Sequence, residues 1–253
     1  MKHIAAAFTL FTRIPVWKWV NIPASAYSTT VVFWPLTGWV TGGFTALVMY
    51  SLATLMPMFP AVVTSLLFKL LLTGALHEDG LADFCDGFGG GRDKESILRI
   101  MKDSHIGTYG VIGLICYFLL IVGLLTSLPP VLATTVIFSA DPFSKLCASQ
   151  LTNSLPYARP EGAKNKISYA RMSWRQIILN LTFGILPVTL LGVIMPCALS
   201  GLLFPLLSCY ALSLLMKRRI GGYTGDCCGA TYLICEVSMI FGIVLINGIC
   251  ALF

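Results

Sequence analysis

Asp79, Asp83 and Asp86 are spaced i, i+4, i+7, so on a helix they share one face. They sit in GALHEDGLADFCDGFGGGRDKES, residues 74–96. That stretch holds six of the 11 acidic residues of a 253-residue chain. Three carboxylates stacked on one face repel unless something positive lies among them. Hard oxygen donors at that spacing suit Mg²⁺ or Mn²⁺, and such an ion keeps waters and takes phosphate oxygens as further ligands. The stretch therefore reads as a metal site, with Asp79, Asp83 and Asp86 as ligands, for a phosphate or pyrophosphate group. The glycines at 80, 87 and 89–91 are expected to end the helix and let the chain turn back over the ion. Asp93 is placed to cap a following helix, whose apolar face is Ile97, Ile100 and Met101.

Other chemistry-bearing residues lie far away in sequence. YARPEGAKNKISYARMSWR, 157–175, carries five Lys and Arg, which suits an anionic substrate. Asp226, in GGYTGDCCGA, sits at the start of an apolar run, and Glu236 lies ten residues further along it. Either completes the metal shell or acts as a base. Lys69, Lys145 and Glu236 each lie about seven residues inside their runs, roughly 10 Å deep, and read as a pocket. Asp141 sits deeper and is placed to pair with Lys145 at i,i+4.

The elements that must position these groups are membrane helices. The chain is 57% hydrophobic and 11% charged, with a mean hydropathy of +0.83; a soluble domain is about 25% charged. The apolar runs are too long and too even for the strands of a β-barrel. Seven spans are read: 30–56, with a break at Pro35 or Gly42–Gly43, then 58–76, 109–128, 130–151, 176–197, 199–216 and 229–252. The fold class is all-α: a polytopic integral membrane helical bundle of about seven transmembrane helices, one catalytic domain over 1–253. The N-terminus resembles a signal peptide poorly, because Arg13, Lys18 and two Trp precede the small residues at 24–26. A short N-terminal amphipathic helix at the membrane surface is expected instead. The nine Cys include no C-x-x-C and read as small buried apolar residues.

Charges orient the bundle. The links near 57, 129 and 198 carry none, whereas the N-terminus and the loops 77–108, 152–175 and 217–228 carry the Lys and Arg. With seven spans every basic link falls on one side, and the positive-inside rule makes it cytoplasmic. A multi-pass protein of the cell (inner, cytoplasmic) membrane is expected, with its active-site face towards the cytoplasm. An ion-coupled transporter fits less well, since its polar groups belong near the midplane.

The segments FTRIPV (11–16), FWPLTG (33–38), TGALHEDGLADFCDGFGGGRD (73–93), IMKDSHIGTYG (100–110), YARPEG (157–162) and GGYTGDCCGA (221–230) follow in order along nearly the whole chain. In them the chain resembles the cobalamin synthase family, the adenosylcobinamide-GDP ribazoletransferases. The resemblance implies that α-ribazole, or its 5′-phosphate, attacks the cobinamide-side phosphorus of adenosylcobinamide-GDP and that GMP leaves. It implies Mg²⁺ as cofactor, the two substrates and the lipid bilayer as partners, and no nucleic acid; a homo-oligomer is compatible with it. For this reaction His77, Asp83, Asp226 and Glu236 are expected to be catalytic, and Arg13, Lys102, Ser104, Lys145 and Arg159 substrate-binding; Glu236 and Lys145 lie outside the matching segments and are read from their charge and depth. Glu78 stands where the family usually has an apolar residue. A CDP-alcohol phosphotransferase is the alternative of similar mechanism, but its usual D-G-x-x-A-R opening is absent, since DGLADF has Asp83 and no Arg.

Overall fold

In hydrocarbon a helix is the one open segment that satisfies its own backbone groups, and the apolar runs all fold as helices. The computed structural model describes residues 1–159 and 169–250. Lys164 and Lys166 of the basic loop, and the end of the last expected span, lie outside the described residues. The order is α1 (Lys2–Phe11), α2 (Trp34–Ala53), α3 (Met58–Thr73), α4 (Leu76–Gly90), α5 (Lys94–Ile100), α6 (Thr108–Thr126), α7 (Pro130–Ser149), the one-turn α8 (Leu151–Ser154), α9 (Trp174–Ile194), α10 (Leu203–Ile220) and α11 (Gly225–Cys250). A 3₁₀ segment, Ala24–Phe33, leads into α2, and another, Pro196–Leu202, into α10. Six segments are long and apolar enough to cross a membrane, and the bent pair α3–α4 brings the count to seven. The protein is a multi-pass helical membrane bundle. The N-terminal helix is present, with Ala5, Ala6, Ala7 and Phe11 on its buried face.

Two expectations about glycine and proline are corrected. α2 is not broken at Pro35 or Gly42–Gly43: Pro35 occupies the first turn, where no amide hydrogen is needed, and the helix runs on for 20 residues. Gly38 and Gly42 instead let α2 lie against the α7 backbone, since a Cβ on Gly38 would come within 2.7 Å of Pro142 Cα. Small residues at a helix contact are how membrane helices reach dispersion distance. Of the glycines of the acidic stretch, Gly80 and Gly87 lie inside α4 and do not end it, whereas the 89–91 run does, with Gly91 in extended backbone after Gly90. The turn comes before the acids. Gly74 and Ala75 both adopt left-handed backbone, φ 69° and 56°, and swing α4 by 92° from α3. α3 covers the expected span 58–76, and α4, in the expected loop 77–108, packs against α6 and α11.

α7 is the central helix, and it carries two of the four charges buried together in the bundle, Asp141 and Lys145. Lys145 pairs with Asp141 at 2.6 Å, the i,i+4 contact expected from sequence. Lys69 of α3 reaches Asp141 at 3.2 Å and also Glu236 of α11. Tyr117 of α6 donates to Glu236 at 3.1 Å, and Tyr232 of α11 to Asp141 at 3.1 Å. Thr41 of α2 donates to Asp141 at 3.0 Å and accepts from Lys145. Two cations and two anions close into a neutral knot that ties five helices. None of the four is more than 3% exposed. The pocket expected at this depth is therefore filled by the charges themselves, because each ion lost more hydration on burial than any single partner returns.

Candidate active site

A cavity of about 230 Å³ opens at the end of the bundle where α4 and α11 begin. Local contacts build it. Thr224 accepts the amide of Cys227 at 3.2 Å and starts α11, which sets Asp226 in the first turn. Residues 156–158 run beside 223: the Ala158 amide donates to Tyr223 O at 2.8 Å, and the Tyr223 amide to Pro156 O at 2.9 Å. That ladder delivers Arg159 to Asp226, Nη2 to Oδ2 2.7 Å, and the same nitrogen reaches Met101 O at 3.3 Å. Asp79 lines the cavity from α4, and Gly80 packs on the Asp226 backbone.

The three acids of the opening motif take different environments. Asp79 is exposed at the cavity, Asp83 is partly buried, and Asp86 is buried. Burial, then the carboxylates of Asp226 and Asp79, push the Asp83 carboxyl up to about 7. Asp86 has turned away. Its two oxygens accept the amides of Gly107 at 2.7 Å and Gly110 at 2.8 Å, which satisfies two of the four free amides at the start of α6 and places an anion at that helix's positive end. Among the described residues no three His, Cys, Asp or Glu side chains are gathered into a ligand shell. Asp86→Asn should therefore act on stability, since its NH₂ faces one of the two amides. A loss of about 1–3 kcal/mol, read as a lower melting temperature in detergent, is expected, and an unchanged melting temperature would free Asp86 for other work.

The opposite wall is aromatic. Phe11 stacks on Trp34 with centroids 4.9 Å apart, and His77 lies edge-on to Tyr232 at 4.8 Å. Tyr157 and Tyr169 complete the lining. Trp34 Nε1 and His77 Nε2 are both buried and have no hydrogen-bond partner. Two unpartnered nitrogens on one cavity wall are costly unless a ligand meets them. Burial, followed by the Lys145 ammonium, holds His77 well below the usual histidine range, so its ring is neutral and its unpartnered Nε2 is open to a hydrogen bond from a ligand.

The structure brings together only some of the residues singled out from sequence. His77, Asp79, Arg159 and Asp226 line the cavity, and Asp83 stands beside its two acids. Lys102 and Ser104 are exposed on the loop after Met101 and do not line the cavity. Arg13 packs its guanidinium on Gly74, at the bend that starts α4. Lys145 and Glu236 lie in the neutral knot below, separated from the cavity by His77 and Tyr232. Sequence reasoning missed the aromatic wall. Trp34 sits in FWPLTG and was legible only as span residue, because its unpaired indole nitrogen is a tertiary fact. Glu78 is buried, and its Oε2 has no partner.

Fold and site define a multi-pass helical membrane protein with a cleft that joins carboxylates, one guanidinium and an aromatic wall. The sequence profile of cobalamin-5-phosphate synthase matches residues 3–244, and the chain belongs to that family. A protein from Shewanella oneidensis named adenosylcobinamide-GDP ribazoletransferase is 36% identical over 247 residues, 96% of this chain and 94% of its own. Proteins of the same name from Shewanella sp. strain ANA-3 and Shewanella baltica strain OS185 are 35% and 34% identical over the same share. No solved structure matches the chain.

Proposed function

We propose that the protein joins adenosylcobinamide-GDP to α-ribazole or α-ribazole 5′-phosphate, releasing GMP and forming adenosylcobalamin or its 5′-phosphate, by magnesium-dependent phosphoryl transfer. Family membership supports the reaction. The observation that carries the site is one cavity bounded by Asp79, Asp226 and Arg159 on one side and by unpartnered His77 and Trp34 nitrogens on the other.

Asp79, Asp83 and Asp226 fit a magnesium ion by donor chemistry. They are hard oxygens; burial first, and then the charges of Asp226 and Asp79, raise Asp83 to about 7, and a cation among them relieves the repulsive part. One or two carboxylates plus substrate phosphates is the usual Mg²⁺ site, so an incomplete protein shell is in keeping. A bound ion would supply charge neutralisation on the diphosphate as GMP departs. Asp86, held by α6, is left out of this set.

The chain's own groups then divide the work. Arg159 shifts from Asp226 towards a phosphate oxygen, a charge-assisted contact of the kind guanidinium makes well. Lys102 and Ser104 border the same anion, and Arg13 approaches from the bend. The ribazole heterocycle lies against Phe11, Trp34, Tyr157 and Tyr169, where stacking orients it. Its ribose hydroxyl oxygen attacks the cobinamide-side phosphorus. The bond from that phosphorus to the bridging oxygen breaks, GMP leaves with the electron pair, and the hydroxyl proton passes to neutral His77 Nε2. GMP release by purified protein from adenosylcobinamide-GDP and α-ribazole phosphate tests the reading. Release should need both substrates and Mg²⁺ and stop with a chelator, and an inert protein under these conditions sinks it.

The cavity is proposed to face the cytoplasm, because the basic links share its end of the bundle. Tyr223 is buried and Ser96 caps α5, so exposed Lys94 and Arg218 are the better probes of that end. In intact cells an impermeant maleimide should label Ser127→Cys and miss Lys94→Cys and Arg218→Cys. Labelling of Ser127→Cys and Lys94→Cys from the same side would break the seven-span arrangement.

A further inference from the structure

Two thiols meet at the end of the bundle away from the candidate site. Cys197 follows α9 in the 3₁₀ segment Pro196–Leu202, and Cys250 is the last residue of α11. They are 53 residues apart, yet their sulfurs lie 3.1 Å from one another. Both are exposed. Packing of the flanking chain fixes the approach: a Cβ on Gly201 would fall 3.1 Å from the Ile243 amide nitrogen, so the 3₁₀ turn lies directly on α11. Asp226 and Cys250 are 24 residues apart on one helix, about 36 Å, so the thiols and the carboxylate cavity occupy opposite ends.

Charge says which compartment each end meets. The links near 57, 129 and 198 carry no charged residue, and the basic links lie at the cavity end. If the cavity faces the cytoplasm, the Cys197–Cys250 end meets the extracytoplasmic compartment, where disulfides form and persist. We infer that Cys197 and Cys250 form a disulfide that staples the α9–α10 turn to the end of α11. This rests on the orientation proposed above. The oxidant is a disulfide-bearing dithiol oxidase of that compartment. One cysteine thiolate attacks the oxidase disulfide and forms a mixed disulfide. The second thiolate then attacks that mixed disulfide. The two cysteine sulfurs become bonded, two protons leave, and two electrons end on the oxidase as a dithiol. Cys147, Cys228 and Cys235 are buried in the bundle and should stay reduced.

The test uses the full chain in membranes from cells quenched in acid. Free thiols are blocked with N-ethylmaleimide, disulfides are reduced, and newly freed thiols are tagged with a polyethylene-glycol maleimide read as a gel shift. Two tags per wild-type chain are expected, with none on Cys197→Ser or Cys250→Ser. No tag on wild type overturns the disulfide. Two tags that persist in both serine variants overturn the assignment to this pair. Ser127→Cys and Lys94→Cys, each placed on a Cys197→Ser/Cys250→Ser background, separate the two readings. If Ser127→Cys labels from outside while wild type takes no tag, the disulfide falls and the orientation stands. If Ser127→Cys is protected in intact cells while Lys94→Cys labels, the orientation falls and takes the disulfide with it.

Discussion

Asp79→Asn, Asp83→Asn and Asp226→Asn should each reduce GMP release roughly 10²-fold or more, the scale of removing one electrostatic contact to a developing charge. Asp79 and Asp226 border one cavity, and Asp83 feels both charges. Groups that act as a unit are non-additive, so the triple variant should be little worse than any single. Without Mg²⁺, Asp79→Asn and Asp83→Asn should leave the melting temperature unchanged or raise it, because a repelling carboxylate is gone. Asp226→Asn should do less well, since it also strips Arg159 of the anion 2.7 Å away. If the acids were merely a solvated helix face, all three would retain normal turnover. Activities within about twofold of wild type, under about 0.5 kcal/mol in barrier, would end the proposal that these side chains hold the ion.

Glu236→Gln and Lys69→Met should be the most destabilising single changes in the bundle. Lys69→Met leaves Glu236 without a cation, and Glu236→Gln leaves two cations on the single Asp141, in a knot whose ions are at most 3% exposed. Breaking such a pair costs about 3–5 kcal/mol, which for a chain of this size lowers the melting temperature by roughly 10 °C. The double change Lys69→Met with Glu236→Leu keeps the knot neutral, because Asp141 retains Lys145 at 2.6 Å. It should recover a large part of the loss. Melting temperature and turnover per folded molecule separate the two roles that Glu236 can play. An undisturbed melting temperature with lost turnover would put Glu236 in the chemistry and overturn its assignment to the knot.

Several features were legible in the sequence because they are local. Hydropathy and link charge found the spans, since a span is defined by its own length and composition. The Asp93 cap is present, with Ser96 N donating to Asp93 Oδ1 at 2.8 Å, because a cap joins residues three apart. The Asp141–Lys145 pair was readable for the same reason: the helix repeat places i and i+4 side by side. Residue type and order also sufficed to place the chain in its family.

What the sequence alone determined about this protein is thus its class, its helices, its charge asymmetry and the family motif. Tertiary structure decided which motif residues face the cavity. Helical spacing put Asp86 beside Asp83, but two amides from α6 claimed its oxygens. Depth put Glu236, Lys69 and Lys145 at one level, but five converging helices closed them into a knot. Asp226 and Arg159 joined Asp79 across 147 and 80 residues of chain. Trp34 and His77 became a wall with unpaired nitrogens only when α2 and α4 met. The physical reason is that a side chain's partners at long separation are fixed by packing of whole helices, and no spacing within one segment encodes them.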